Sequence, residues 1–113
     1  MPNYTKLESV EDLDAAFRTA DEATVVVFKH SLTCPVSTEA LREFDRYLES
    51  GDEATRYYLI EIQRQRGLSN DVAARTGVRH ESPQALVLRG GEVVWHASHW
   101  KITKASLADA LAA

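Results

Sequence analysis

The chain is poor in cysteine, with Cys34 alone among its 113 residues. A single cysteine excludes an internal disulfide, and one cysteine with four dispersed histidines is not the usual pattern of zinc ligands. We therefore expect neither a disulfide framework nor a structural metal site.

Basic residues and long apolar runs are also scarce. The 13 Lys and Arg against 17 Asp and Glu give a formal net charge of -4, which leaves no general basic surface for nucleic acid or an anionic membrane. No apolar run approaches the ~20 residues of a membrane span, and the first residues lack the apolar core of a signal peptide. We expect a cytoplasmic protein, with residues 1–113 forming one domain and no nucleic acid or membrane as partner.

The spacing of apolar residues predicts helices and strands in alternation. Helices are predicted at 9–20, 34–50, 69–76 and 103–113, and strands at 24–28, 56–62, 85–88 and 92–99. The third helix is expected to be capped by Ser69 or Asn70 and to end at Gly77. The glycines Gly90 and Gly91 predict a tight hairpin turn between the last two strands.

This order of elements predicts an α/β fold. The continuous β-branched and aromatic run at 24–28 is typical of a central strand that is covered on both faces. Two parallel strands joined by a crossover and a closing antiparallel hairpin give a small mixed four-stranded sheet with helices on both faces. That is the thioredoxin-like architecture.

Cys34 falls between the predicted central strand and the helix that begins at Pro35. The free N–H groups and the positive dipole end of a helix N-terminus favour a thiolate there. Polar neighbours such as Thr33 favour an accessible thiol, and Lys29 and His30 can add positive charge or bind an anionic group. An isolated cysteine is nevertheless often a buried, inert residue, so that alternative stays open.

Ser37 occupies the position, three residues after Cys34, where dithiol oxidoreductases carry their second thiol. A hydroxyl there can donate a hydrogen bond to the Cys34 thiolate but cannot attack a mixed disulfide. Any disulfide at Cys34 must therefore be resolved by a thiol from outside. Serine is also common as a cap or polar filler in a first helical turn.

Pro83 opens the predicted strand that follows the third helix. In a thioredoxin-like architecture we expect it to be a cis-proline facing the active-site helix, with the backbone of Ser82 pairing with the incoming disulfide. His80 lies close before it and is a further candidate for the site.

The segment "WHASHW" is expected to continue the last strand. Alternation would place Trp95, Ala97 and His99 on one face and His96, Ser98 and Trp100 on the other. The simplest interpretation is one core face and one solvated face, at a distance from the cysteine.

Three stretches together resemble the monothiol bacilliredoxin family, whose signature is Thr-Cys-Pro-Ile-Ser. They are "FKHSLTCPVS", "TGVRHESPQALVLRGGEVVWHASHW" and the final "IT...AL", and the resemblance covers essentially the whole chain. The sequence departs from the signature at Val36, where the family usually has isoleucine, a change that leaves the chemistry undisturbed.

The resemblance implies roles for these residues. Cys34, followed by Pro35, would be the nucleophile, Ser37 the non-resolving residue and Pro83 the cis-proline. The implied substrates are proteins capped by bacillithiol, a cysteine–glucosamine–malate thiol that acts as co-substrate, with no bound cofactor. Free bacillithiol, a thioredoxin-reductase-like protein or a bacillithiol disulfide reductase would regenerate the thiol. The expected substrate-binding residues are Lys29, His30, Thr33, His80, Ser82 and Pro83, with the basic or polar side chains Lys29, His30 and His80 contacting the malate carboxylates.

Two other functions stay open at this point. One is a carrier of iron–sulfur clusters that uses one cysteine per subunit and a small thiol, although Pro35 and Val36 would crowd a cluster. The other is a non-catalytic interaction domain in which Cys34 is passive.

Overall fold

A computed structural model describes residues 3–112. Its strands are β1 (Tyr4–Lys6), β2 (Val25–His30), β3 (Arg56–Glu61), β4 (Gln84–Arg89) and β5 (Glu92–Ser98). Its α-helices are α1 (Val10–Thr19), α2 (Pro35–Leu48), α3 (Arg66–Thr76) and α4 (Lys104–Ala112), with a 3-10 turn at His99–Lys101. Within residues 3–112, no helix is both long enough and apolar enough to cross a membrane.

The five strands form one mixed sheet in the order β1-β3-β2-β4-β5. β3 lies parallel to both β1 and β2, whereas β4 is antiparallel to β2 and to β5. β2 is the central strand and all six of its residues are buried. The predicted thioredoxin-like architecture is confirmed, and the C-terminal end of β2 leads into the Cys34 loop.

The alternation along β2 divides the core between the two faces of the sheet. Val26 and Phe28 belong to the cluster that includes Phe44 of α2 and Leu107 of α4. Val25 and Val27 belong to the other cluster, with residues of α1 and α3 such as Leu13 and Val72, the latter only 1% exposed. Because Lys29 and His30 continue this alternation, they emerge on opposite faces.

The strand count was wrong by one, since the sheet has a fifth strand, β1. Tyr4–Lys6 is only three residues long, and Tyr4 is its only residue that is not exposed, so it carries no periodic signal. It is held by pairing with β3, with Tyr4 opposite Tyr57 and Lys6 opposite Leu59. A tertiary contact therefore makes this strand.

The third helix begins earlier than predicted, at Arg66 with Gln65 as its N-cap. The proposed cap Ser69 lies one turn inside the helix and is fully buried, because its side chain has a tertiary partner described below. The predicted end at Gly77 is confirmed, with φ of 73° at that residue.

Two strand ends also differ from the prediction. β2 runs on to His30 because Lys29 and Gln84 are paired in the ladder with β4. β5 stops at Ser98, and His99 and Trp100 enter the 3-10 turn, so they do not alternate across the sheet as predicted. The end of the last predicted helix, Ala113, lies outside the described residues.

The local turn and cap predictions are confirmed elsewhere. Ser9 caps α1 and its side chain accepts a hydrogen bond from the N–H of Asp12 at 3.0 Å. Gly90 and Gly91 both have positive φ, 58° and 77°, in the hairpin between β4 and β5.

Candidate active site

Cys34 is the N-cap residue of α2. Its backbone is extended, with φ of -101° and ψ of 120°, and Pro35 begins the helix. The thiol makes no capping hydrogen bond, the first turn holds no acidic residue, and the side chain is partly exposed. A helix N-terminus stabilises negative charge in its first turn, so this position suits an accessible thiolate.

Gln63 braces the loop that carries the thiol. Its Oε1 accepts the N–H of Leu32 at 2.8 Å, and its Nε2 donates to Ser31 Oγ at 2.8 Å and to Thr33 Oγ1 at 3.2 Å. Three successive residues before Cys34 are thus held from the segment after β3. The sequence gives no signal for this glutamine, because its partners lie about thirty positions away along the chain.

Ser37 is fully buried and its hydroxyl is already bonded. Its Oγ accepts the N–H of Ser31 at 2.9 Å and lies 2.8 Å from Nδ1 of His30. No hydrogen bond between Ser37 and the thiol is found among the described residues. Ser37 therefore joins the Cys34 loop to the end of β2 and the first turn of α2.

His30 lies beneath this loop and is only 8% exposed. Burial lowers the pKa of its imidazole, with Glu61, Asp45 and the Ser37 contact acting in the opposite direction. The imidazole is therefore neutral at pH 7. We call His30, Ser31 and Ser37 the histidine cluster.

Lys29 lies on the opposite face of the sheet and is fully buried. Its Nζ donates to the carbonyl of Ser69 at 3.0 Å and lies 3.2 Å from Nδ1 of His80, which is also 3.0 Å from Ser69 Oγ. Burial lowers the pKa of Lys29 to about 8. We call Lys29, Ser69 and His80 the lysine cluster.

The pKa of His80 is lowered as well. Burial is the main cause, and the positive charges of Lys29 and Arg66 add to it, whereas Glu81 acts the other way. A neutral His80 can accept at Nδ1 from Lys29 or from Ser69, both of which lie within hydrogen-bond distance, and its other ring nitrogen is then the N–H donor.

Pro83 follows a cis peptide bond with Ser82, as predicted. Its carbonyl accepts the N–H of His99 at 3.1 Å, so the start of β4 is tied to the 3-10 turn. Gln84, paired in register with Lys29, donates its Nε2 to the carbonyl of Arg79 at 3.0 Å. Among the described residues, the buried Ser82 Oγ and Gln84 Oε1 have no hydrogen-bond partner.

Cys34 opens into a groove of about 400 Å³ beside α2. It is lined by Leu32, Thr33, Cys34, Pro35, Thr38, Glu39 and Arg42. Arg42 and Glu39 form an exposed ion pair, with Nη1 and Oε2 at 3.3 Å. The groove therefore offers a bound molecule hydroxyls and charges of both signs next to the sulfur.

The residues predicted for the site divide into four sets. Thr33, Cys34 and Pro35 share the groove, whereas Ser37 and His30 form a buried pair beneath it. Lys29 and His80 are joined to each other on the other face, and Ser82 and Pro83 lie directly before β4. The buried Lys29 and the nearly buried His30 are thus structural partners here and do not line the groove.

Comparison with known proteins places this geometry in a family. Residues 5–107 match the profile of the monothiol bacilliredoxin family. A solved structure described as a candidate oxidoreductase with a thioredoxin fold is 36% identical, with a TM-score of 0.84 over 96% of this chain and 93% of that one.

More distant thioredoxins share the fold alone. The Malassezia sympodialis protein is 13% identical, with a TM-score of 0.76 over 97% of this chain and 89% of its own. The Trypanosoma brucei brucei protein is also 13% identical, with a TM-score of 0.75 over 98% and 89%.

Proposed function

The chain belongs to the monothiol bacilliredoxin family, and from that premise we propose that it removes bacillithiol from capped protein cysteines by thiol–disulfide exchange. The observation that carries the proposal is the single thiol at the start of α2, open to a groove and without a second thiol to resolve it. A thiol redox role follows from the family and from the thioredoxin-like oxidoreductase that this chain resembles.

The proposed reaction has two exchanges. The Cys34 thiolate attacks the bacillithiol sulfur of the mixed disulfide, a bond forms between these two sulfurs, and the bond to the client sulfur breaks. The client leaves as a thiolate and takes a proton from water. A second thiol, free bacillithiol or a reductase thiol, then attacks the bacillithiol sulfur on Cys34, supplies the electron pair and returns the Cys34 thiolate.

Ser37 supports the need for an outside thiol. Its hydroxyl cannot perform the second exchange, and it is buried and bonded to the Ser31 N–H and to His30. We propose that its contribution is to hold the Cys34 loop against α2. The thiolate then depends on the helix N-terminus for its stabilisation.

Ser82 is proposed to receive the incoming disulfide through its backbone. Pro83 has no N–H, and its carbonyl already accepts from His99, so Pro83 itself can offer little to a substrate. The position beside the cis bond supports Ser82 as the pairing residue.

The malate carboxylates of bacillithiol need an accessible cation or N–H donor. Lys29 is fully buried and His30 nearly so, which makes them supports of the site, while the partly exposed His80, although neutral, stays a candidate as a donor through its other ring N–H. Arg42 is exposed and lines the groove with Cys34, so we propose it as a carboxylate-binding residue.

The proposal is tested by intact-mass measurement after incubation with oxidised bacillithiol, beside the same incubation with oxidised glutathione. We expect one bacillithiol adduct on the wild-type chain and none on Cys34→Ser. A bacillithiol-capped client protein should likewise lose its cap with the wild type and keep it with Cys34→Ser. If Cys34→Ser still released bacillithiol, the proposed mechanism would be wrong.

A second measurement tests the reactivity of the thiol. We expect iodoacetamide to alkylate Cys34 at pH 6 faster than it alkylates free cysteine, because the start of α2 stabilises the thiolate. An alkylation rate equal to that of free cysteine would identify Cys34 as a passive thiol.

A further inference from the structure

Trp100 is the most exposed large apolar side chain of the described residues, at 69%, whereas Trp95 packs against the core. It lies in the 3-10 turn after β5. Tryptophan is enriched at contact surfaces, because its ring offers an apolar face together with an N–H donor.

The backbone beneath Trp100 is fixed. His99 has φ of 54°, in the left-handed region that a non-glycine residue rarely occupies. Its N–H donates to the carbonyl of Pro83 at 3.1 Å, and its carbonyl accepts the N–H of Ile102, a buried residue, at 3.2 Å. The indole is thus held outward by a turn that is anchored to the cis-proline and to the core.

A second groove of about 190 Å³ lies between this turn and α2. Its lining consists of Glu39, Ala40, Glu43, His99, Trp100, Ile102 and Thr103. Glu39 also lines the Cys34 groove, so the two grooves meet at this residue. A molecule bonded to the Cys34 sulfur can therefore extend past Glu39 toward Trp100.

The two carboxylates of this second groove differ in how far they are already engaged in hydrogen bonds and ion pairs. Glu43 accepts the backbone N–H of Lys104 at 3.0 Å and pairs with Arg46 at 2.6 Å. Among residues 3–112, the only partner of Glu39 is Arg42, in the exposed ion pair. An exposed pair of this kind contributes little to stability and is easily exchanged, so Glu39 can accept from a ligand.

We propose that this second groove holds the hexosamine ring of the small thiol bonded to Cys34. The ring would stack on the indole of Trp100, and Glu39 would accept hydrogen bonds from its hydroxyls or from the cysteinyl ammonium. This assignment rests on the proposed function and adds a residue that selects the thiol. A sugar ring has an apolar C–H face and polar edges, which match an aromatic face beside a carboxylate.

The size of the groove favours a sugar ring over a protein segment. Its volume of about 190 Å³ is below the roughly 300–1,000 Å³ of an ordinary ligand pocket, so it has room for one ring and not for a longer chain segment. Glutathione has no ring to place on Trp100. The groove therefore predicts a preference for the sugar-containing thiol.

The test uses one client protein capped either with bacillithiol or with glutathione. We expect Trp100→Leu to slow removal of bacillithiol by about three- to tenfold, the range of one aromatic contact, and to leave removal of glutathione unchanged. Trp100→Phe should keep most of the activity because it retains an aromatic face. The matched control is Val94→Ala, an exposed apolar side chain on β5 (51%), which should affect neither cap.

Fluorescence gives a readout that does not depend on turnover. In a Trp95→Phe background, Trp100 is the only tryptophan, since the chain has two. Its emission should change when Cys34 carries bacillithiol and stay constant when Cys34 carries glutathione.

The outcomes separate this assignment from the proposed function. Equal losses with both caps would show that Trp100 contacts the client or supports the turn, and unchanged rates would show no contact; either result overturns the assignment while the proposed function stands. A wild-type protein that fails to remove bacillithiol would refute the proposed function, and the assignment with it.

Discussion

Lys29 and His30 are neighbours on β2, yet each anchors a different half of the site. In the histidine cluster, Ser37 in the first turn of α2 is bonded to His30 of β2 and to Ser31 of the Cys34 loop. The lysine cluster bonds to α3 and to the segment before Pro83. The central strand therefore holds the nucleophile with one residue and the approach to the cis-proline with the next, and the alternation of a strand separates the two tasks.

The clusters also differ in charge. The histidine cluster is neutral at pH 7, with Glu61 and Asp45 acting on His30 from nearby. The lysine cluster carries the ammonium of Lys29, which is bonded to a carbonyl and a ring nitrogen, with Glu81 as the acidic group acting on His80. Burial lowers the pKa of Lys29, His30 and His80 alike, so in each case the folded protein binds a proton less readily than the unfolded chain.

The two clusters should differ most when a second thiol is placed in each of them. Ser37→Cys puts a thiol three residues after Cys34, and we expect it to expel bacillithiol from Cys34 without an external thiol. Ser69→Cys is the matched control, because Ser69 lies on α3 against the opposite face of the sheet. Intact mass after removal of free thiols should show the internal disulfide in the first variant only. An adduct that persists on Ser37→Cys would show that the buried position is closed to the sulfur.

Loss of a hydroxyl should also lower the free energy of unfolding by different amounts in the two clusters. Ser37→Ala leaves the Ser31 N–H and His30 without their partner, at a cost of about 1–3 kcal/mol for each buried polar group left unpaired. Ser69→Ala should cost less, about 1 kcal/mol, because Lys29 keeps the Ser69 carbonyl and still faces His80. Urea denaturation at pH 7 measures both. Equal losses would contradict the difference in bonding.

The free energy of unfolding should depend on pH in two separate ranges, one basic and one acidic. Because the folded protein binds fewer protons at Lys29, its free energy of unfolding should rise with pH between about 8 and the ordinary lysine pKa of about 10.4. Lys29→Met should remove this rise. Comparing the two proteins across that range cancels the contributions of other lysines and tyrosines, and parallel curves would contradict the lowered pKa of Lys29.

The second range lies on the acid side. His30 and His80 should make stability fall as pH drops below their unfolded value of about 6.5 and toward their lower folded values. His30→Gln and His80→Gln should each flatten part of this fall. A fall that both variants leave unchanged would place its origin in the carboxylates.

The smallest expected effect is on the pKa of His80. Removing the Lys29 charge in Lys29→Met should raise the pKa of His80, since the nearby ammonium opposes protonation. Proton NMR of the imidazoles measures the shift, and the exposed His96 on β5 serves as the internal reference. The pKa of His30 should change little, because it lies on the other face of the sheet.

The local parts of this molecule are predictable from sequence. The start of α2 at Pro35, the Ser9 cap and the Gly90–Gly91 turn each depend on a few adjacent residues. The cis bond at Pro83 followed from the architecture, since sequence alone gives no reason for it.

The contacts between residues that are far apart in the sequence could not be predicted. Ser69 has the sequence of a helix cap, and only its contact with His80 explains why it lies inside α3 instead. Lys29 was predicted to bind an anionic group, and only the structure, where it pairs in register with Gln84, shows that it is buried. We predicted that Trp100 lies on a face of the last strand, because no residue near His99 indicates a turn in the sequence.

The buried amine of Lys29 has a consequence for chemical labelling. A lysine with a pKa near 8 holds a larger share of reactive free amine at neutral pH than an ordinary lysine. Yet its complete burial keeps reagents away from it. Acylation of Lys29 therefore has to wait for the region between β2 and α3 to open, and the rate at which this one lysine is labelled would time that opening in the native protein.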